Sequence, residues 1–358
     1  MSGKNNREKK ENMKAICAGW TIFFALCMSV MLIFAANKTI VIADVSQEQS
    51  GLPTNPVQGN LISEDRELRV SKTYGVEKSF CVPLPKGVKA ENVIMENRYI
   101  DRELRLYIQG GDARFYEENA VSGDISPVLS GRSEEQEDGV LLKICMNRIL
   151  EYKSTMEGNS LTIAWFEPDE LYEYIVVLDA ADGETQKEKE LTFQVARQVQ
   201  KKFAPEATRL YLIGAEDRNV TLDDRVSLAE EVQADLYIGI CAAFSDCPEA
   251  YGICGFYNEE YFIPEFGNVD LSDLLTREVT IASGNRAVGL ETAGEDSILR
   301  KLRMPAAEIS LGYLSNPKEE YLLGQETYRE KLADGVVNAV SKAIDALKDA
   351  KNTNLNSR

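Results

Sequence analysis

Histidine is absent from all 358 residues. That absence excludes imidazole zinc sites, Ser-His-Asp and Cys-His catalysis, and haem held by a proximal histidine. Positive charge is scarce as well: 40 Lys and Arg stand against 58 Asp and Glu, a net charge of −18. A nucleic-acid binder neutralises phosphates with clustered basic residues, so no nucleic-acid partner is expected. Cysteine is sparse and unpatterned. Of seven, Cys17 and Cys27 lie in an apolar run, and Cys81, Cys145, Cys241, Cys247 and Cys254 are scattered. They read as small buried hydrophobes; Cys247 and Cys254 could pair, but nothing in the sequence requires it. With 44% apolar residues the chain is no disordered acidic polymer, and its length suits two compact domains.

One long hydrophobic run is present. Ala15 to Ala36 is 22 residues without a charge, after a basic tail over 1–14 with Lys4, Arg7, Lys9, Lys10 and Lys14. As a helix it would span about 33 Å, enough for a bilayer core of about 30 Å. A cleaved signal peptide is the rival reading, but its apolar stretch is shorter, roughly 7–15 residues. The expectation is a single-pass membrane protein anchored through residues 15–36. Basic residues should stay cytoplasmic, with the C-terminal bulk extracytoplasmic at the cell membrane. Residues 37–63, rich in Gln, Asn, Pro and Gly, read as a linker.

Residues 64–168 read as a small β-rich domain. Short apolar or alternating runs at 104–108, 140–146 and 161–166 predict strands, and 130–139 (SGRSEEQEDG) reads as a polar loop. From 174 the texture alternates strand and helix. Strands are expected at 174–180, 209–214, 235–244 and 306–314, with helices at 188–203, 221–233, 271–283 and about 326–348. Thr221 and Asp224 have capping-box spacing, and Asn316-Pro317 opens a further helix. The alternation implies an α/β domain over 174–348 with a mostly parallel sheet flanked by helices, then a polar tail at 349–358. Ligands in such folds sit at the carboxyl ends of strands, here Asp179–Asp182, Cys241–Phe244 and Ser310–Leu314.

Four ordered segments carry a resemblance: VVLDAADGE (176–184), EKELTFQVA (188–196), TLDDRVSLAEEVQADLYIGI (221–240) and ISLGYLSNP (309–317). Together they resemble the catalytic domain of zinc-dependent N-acetylmuramoyl-L-alanine amidases, which cut between muramic acid and the stem peptide of peptidoglycan. The resemblance implies a zinc held by His, Glu and His, and a second Glu as general base toward zinc-bound water. Aligned residue by residue, the first His falls on Asp182, the ligand Glu on Glu188, the second His on Cys241 and the catalytic Glu on Ser310. Only Glu188 is kept. The segment between the first two ligand positions is also short, five residues over 183–187.

Two other residue sets could restore the chemistry. Asp182, Glu188 and Cys241 are all metal-ligand types, which allows a mixed oxygen–sulfur site. Glu308 lies two residues before Ser310, on the same side of a strand at about 7 Å, far from the roughly 3 Å that a general base requires. Ser310 cannot replace a carboxylate base, and no histidine is present to activate it as a nucleophile. The leading expectation is a catalytically inactive amidase-fold protein with no cofactor, whose partners are peptidoglycan fragments or a wall hydrolase. The alternatives are an active amidase with zinc in an Asp/Glu/Cys site, and a structural wall-side protein without a ligand.

Overall fold

A computed structural model of the chain describes residues 66–180, 183, 185–203, 205–214 and 220–356. The tail at 1–14, the expected anchor at 15–36, the linker and Asp182 lie outside the described residues. Among the described residues no helix is long and apolar enough to cross a membrane.

The N-terminal half is a β-sandwich. One sheet has the order β1-β7-β8-β5-β4, from Arg66–Glu67, Val128–Gln136, Gly139–Met146, Glu103–Gln109 and Val93–Arg98. The other runs β2-β6-β3-β10-β9, from Val70–Lys72, Val121–Gly123, Ser79–Pro83, Ser160–Phe166 and Glu151–Glu157. Period-2 alternation aims Leu104, Leu106 and Ile108 of β5 at Phe80, Val82, Leu161 and Ile163 of the facing sheet, in one core. Full burial of each such side chain is worth about 1.5–3 kcal/mol. The segment expected as a polar loop at 130–139 is instead most of β7. Its inward residues are Gly131 and Ser133, which pair with Ile144 and Leu142 of β8. Leu68 roofs the first of them: a Cβ on Gly131 would meet the Leu68 side chain at 2.9 Å. An edge-side strand with such small inward residues carries no apolar alternation to read.

The C-terminal half is built on a six-stranded sheet of order β12-β11-β13-β16-β14-β15. These strands span Thr208–Ile213, Tyr174–Ala180, Leu236–Ala243, Ala306–Tyr313, Ile253–Tyr257 and Ala287–Thr292. The first four are parallel, β14 runs antiparallel to β16, and β15 is parallel to β14. Three long helices cover one face: α1 (Gln186–Lys202), α3 (Asn268–Ser283) and α5 (Glu326–Asn356). In α1 the four-residue spacing of Leu191, Val195 and Val199 makes the buried stripe. Thr185 caps that helix by accepting from the Glu188 N–H at 3.2 Å. In α5 Leu332, Val336, Val340 and Ile344 do the same, and the helix continues to Asn356 through the stretch expected as a tail. Helices α3 and α5 touch backbone to backbone at Gly335, where a Cβ would come within 2.6 Å of Val279 Cα.

The opposite face is shared. Helix α2 (Leu222–Glu231) covers part of it, opened by the Thr221–Asp224 capping box. Ile149, Tyr99 and Ile100 of the sandwich half join its core with Tyr211, Ile213 and Leu228. Polar contacts lock that seam. Glu151 of β9 accepts from Arg209 Nε at 2.8 Å and from the Tyr211 hydroxyl at 2.6 Å, all buried. Arg102 pairs with Glu231 at 2.6 Å. The Tyr99 hydroxyl accepts the Leu212 N–H at 3.0 Å and donates to the Leu212 carbonyl, closing the β12 edge of the sheet.

Candidate functional site

The upper part of that shared face stays open. It forms a cavity of about 450 Å³ at the carboxyl ends of β11 and β13, lined by Gly183, Glu188, Cys241, Phe244, Phe256, Glu308 and the Ala293-Gly294 turn. Each polar member is placed by its element. Glu188 sits in the first turn of α1, only 5% exposed. Gly183 permits this approach, since a Cβ there would fall 2.2 Å from the Glu188 carboxyl carbon. Cys241 is near the end of β13. Glu308 is one strand over on β16, paired in register with Gly239. Gly239 leaves room for the Glu308 stem, which a Cβ would meet at 3.0 Å. The Glu308 carboxyl thereby reaches the Cys241 thiol and hydrogen-bonds it.

Beneath the cavity lies a buried ion pair. Asp179, at the end of β11, pairs with Arg225 of α2 and accepts from the Tyr237 hydroxyl. The surroundings set protonation. Burial pushes the Glu308 carboxyl above the usual carboxylate range; its bond to Cys241 opposes this, while Asp179 and Glu188 add to it. Burial, followed by the charge of Glu308, pushes the Cys241 thiol well above its ordinary value. Cys241 is therefore a protonated thiol at neutral pH, not a thiolate.

Ser310 is elsewhere. It is fully buried on β16 between Cys241 of β13 and Cys254 of β14, and its Oγ donates to the Gly312 carbonyl at 3.3 Å. It does not line the cavity, nor does the Ser310–Leu314 strand end. The structure thus brings together Glu188, Cys241 and Glu308 and leaves Ser310 apart; Asp182 lies outside the described residues. Among the described residues no three His, Cys, Asp or Glu side chains form a metal-holding group. All five described cysteines are free, Cys247 exposed and Cys254 buried. Phe256 and the Ala293-Gly294 turn were not foreseen as site residues. The apolar run at 253–257 was the available signal for the first; the turn carries none.

The family model described as N-acetylmuramoyl-L-alanine amidase matches residues 178–342. Those residues belong to that amidase family. The amidase CwlM of Mycobacterium tuberculosis is 26% identical over 157 residues, 43% of this chain and 38% of that protein. A germination-specific amidase of Bacillus subtilis is 29% identical over 140 residues, 38% of this chain and 55% of that protein. LytC of Bacillus subtilis is 24% identical over 149 residues, 42% of this chain and 29% of that protein. The chain thus spans between 29% and 55% of the length of these three amidases. A solved amidase from Clostridium difficile 630 aligns at 24% identity and a TM-score of 0.44, covering 48% of this chain and 97% of that one. The match begins at Leu178 in β11, so the amidase domain includes the cavity and leaves out the β-sandwich.

Proposed function

We propose that this chain is a membrane-anchored, extracytoplasmic protein that holds peptidoglycan fragments in the amidase cleft without cleaving the muramoyl–alanine amide. The observation that carries this reading is Ser310. It stands where the resemblance puts the catalytic base, it is buried, and its hydroxyl is engaged with the Gly312 carbonyl. The donors present also fit zinc poorly. The chain has no imidazole, and the donors at the cavity are two carboxylates and one thiol, a set unlike the histidine-rich sites of catalytic zinc. A glycopeptide suits the cavity better. Phe244 and Phe256 offer apolar walls, and the carboxyl groups of Glu188 and Glu308 offer acceptors for peptide N–H donors.

Hydrolysis with Glu308 as base is the second reading. It draws on one observation: this carboxyl, and not Ser310, faces the cavity, with a pKa raised in the direction that suits a general base. The full chain, purified without chelator and mixed with insoluble peptidoglycan, separates the two. Co-sedimentation with far less than one zinc per chain supports the binding reading. Stoichiometric zinc that is lost in Cys241→Ala supports the enzyme. Protease added to intact cells should remove the domains beyond residue 39; a mature chain starting near Asn37 would replace the anchor with a cleaved signal.

A further inference from the structure

The two edges of the six-stranded sheet differ. The β12 edge is closed by Tyr99, whereas among the described residues β15 pairs with β14 alone and ends the sheet. Edge strands are commonly protected by Lys, Pro or a covering element. The centre of β15, Ala287-Val288-Gly289-Leu290, has no charge and no proline, and Ala287 and Val288 are exposed. Charges of opposite sign stand at its two ends: Arg286, stacked 4.2 Å over the Tyr251 ring, and Glu291, whose charge, second to burial, helps to raise the Cys254 thiol.

The register makes this pattern self-complementary. Ile253 pairs with Ala287 and Cys254 with Gly289, so Val288 is an extra, bulged residue. Without the bulge, residues 286 and 291 would face opposite sides of the sheet. With it, Arg286 and Glu291 share a face, the one that carries Phe256 and the cleft, because Phe256 pairs with Glu291 and with Glu308. A twofold axis normal to a sheet keeps faces in common and places antiparallel neighbours opposite each other. Centred on Gly289, it sets Ala287 against Leu290 of the second copy, and each Arg286 against the other copy's Glu291.

We infer that β15 is a homodimer interface: two copies join edge to edge through β15, making one twelve-stranded sheet from two of six. Both clefts then open on the same face. The Ala293-Gly294 turn, which lines each cleft, follows directly from the paired strand. Such a dimer would grip a repeating polymer at two points.

Sedimentation of the full chain in density-matched detergent tests the pairing at about 150 mM salt, where the Debye length is about 8 Å. Wild-type protein should dimerise, and Arg286→Glu or Glu291→Arg alone should raise the dimer dissociation constant at least tenfold. An equimolar mixture of the two single variants restores opposite charges at both contacts and should dimerise like the wild type, as should the double variant. Circular dichroism of each variant should match the wild type. A monomeric wild type at 100-fold the working concentration overturns the proposal. So does a dimer that ignores both single swaps, which would locate association elsewhere, such as residues 15–36.

Discussion

Removing Glu151 should weaken the seam between the two halves of the molecule. Its carboxylate is the ionic partner of Arg209 at 2.8 Å and accepts from Tyr211 at 2.6 Å, with Arg209 2% and Glu151 4% exposed. At that distance and an effective dielectric near 20, the gross attraction is about 6 kcal/mol, much of it offset by desolvation of both ions. Arg209 Nη2 already has no hydrogen-bond partner among the described residues, so nothing else nearby is placed to take over. Glu151→Ala therefore leaves a buried, uncompensated guanidinium and an unpaired phenol. Breaking a buried pair from one side costs about 3–5 kcal/mol, or roughly 10 °C of melting temperature for a protein of this size. Replacing both partners, Glu151→Leu with Arg209→Met, should recover stability to within about 1 kcal/mol of wild type. Glu320→Ala is the control, since its pair with Lys187 is 43% and 58% exposed and worth about 1 kcal/mol or less. Urea unfolding of the full chain, followed by circular dichroism, reads all three. A loss below about 1 kcal/mol for Glu151→Ala, or a double variant no better than the single, would refute the argument.

Other outcomes follow from single sites. Gly335→Ala should destabilise by about 1–3 kcal/mol in urea titrations, because the new methyl lands 2.6 Å from Val279 Cα. Ser310→Glu should cost several kcal/mol or abolish folding, since it forces a carboxylate into a fully buried position between Cys241 and Cys254. Iodoacetamide at pH 8 should modify exposed Cys247 well before Cys254, whose thiol burial and Glu291 push up to about 11, and before Cys241. Peptide mapping by mass spectrometry gives the order, and equal rates would contradict it.

Elements with strong local signals were legible. YIVVLDA became β11 with those bounds, and the Thr221–Asp224 spacing became a capping box. These rest on short-range patterns: a buried run, or a side chain three residues from its partner. What was not legible depends on distant neighbours. The strand at 128–136 looked like a loop because its inward residues, Gly131 and Ser133, are small, and at Gly131 the bulk comes from Leu68. Strands β14 and β15 were missed because each is short and interrupted by a glycine, Gly255 in one and Gly289 in the other. The seam built from Tyr99, Glu151 and Arg209 joins residues more than 50 positions apart, and no spacing rule connects them. At the cleft the residue types were legible, Glu308 among them, yet it was not legible that Glu308 and not Ser310 lines the cavity. Both lie on one side of β16; only the open space above Gly239 decides which reaches the cavity.

The central claim is that this amidase domain binds the wall but does not cut it. Release of stem peptides from purified peptidoglycan, measured by mass spectrometry with the full chain at zero, equimolar and tenfold zinc, tests that claim most directly. The account predicts protein bound to the pelleted wall and no peptide above the protein-free blank at any zinc level. Zinc-dependent release that disappears in Glu308→Gln, with wall binding retained, would contradict it and establish an enzyme that uses Glu308 as its base.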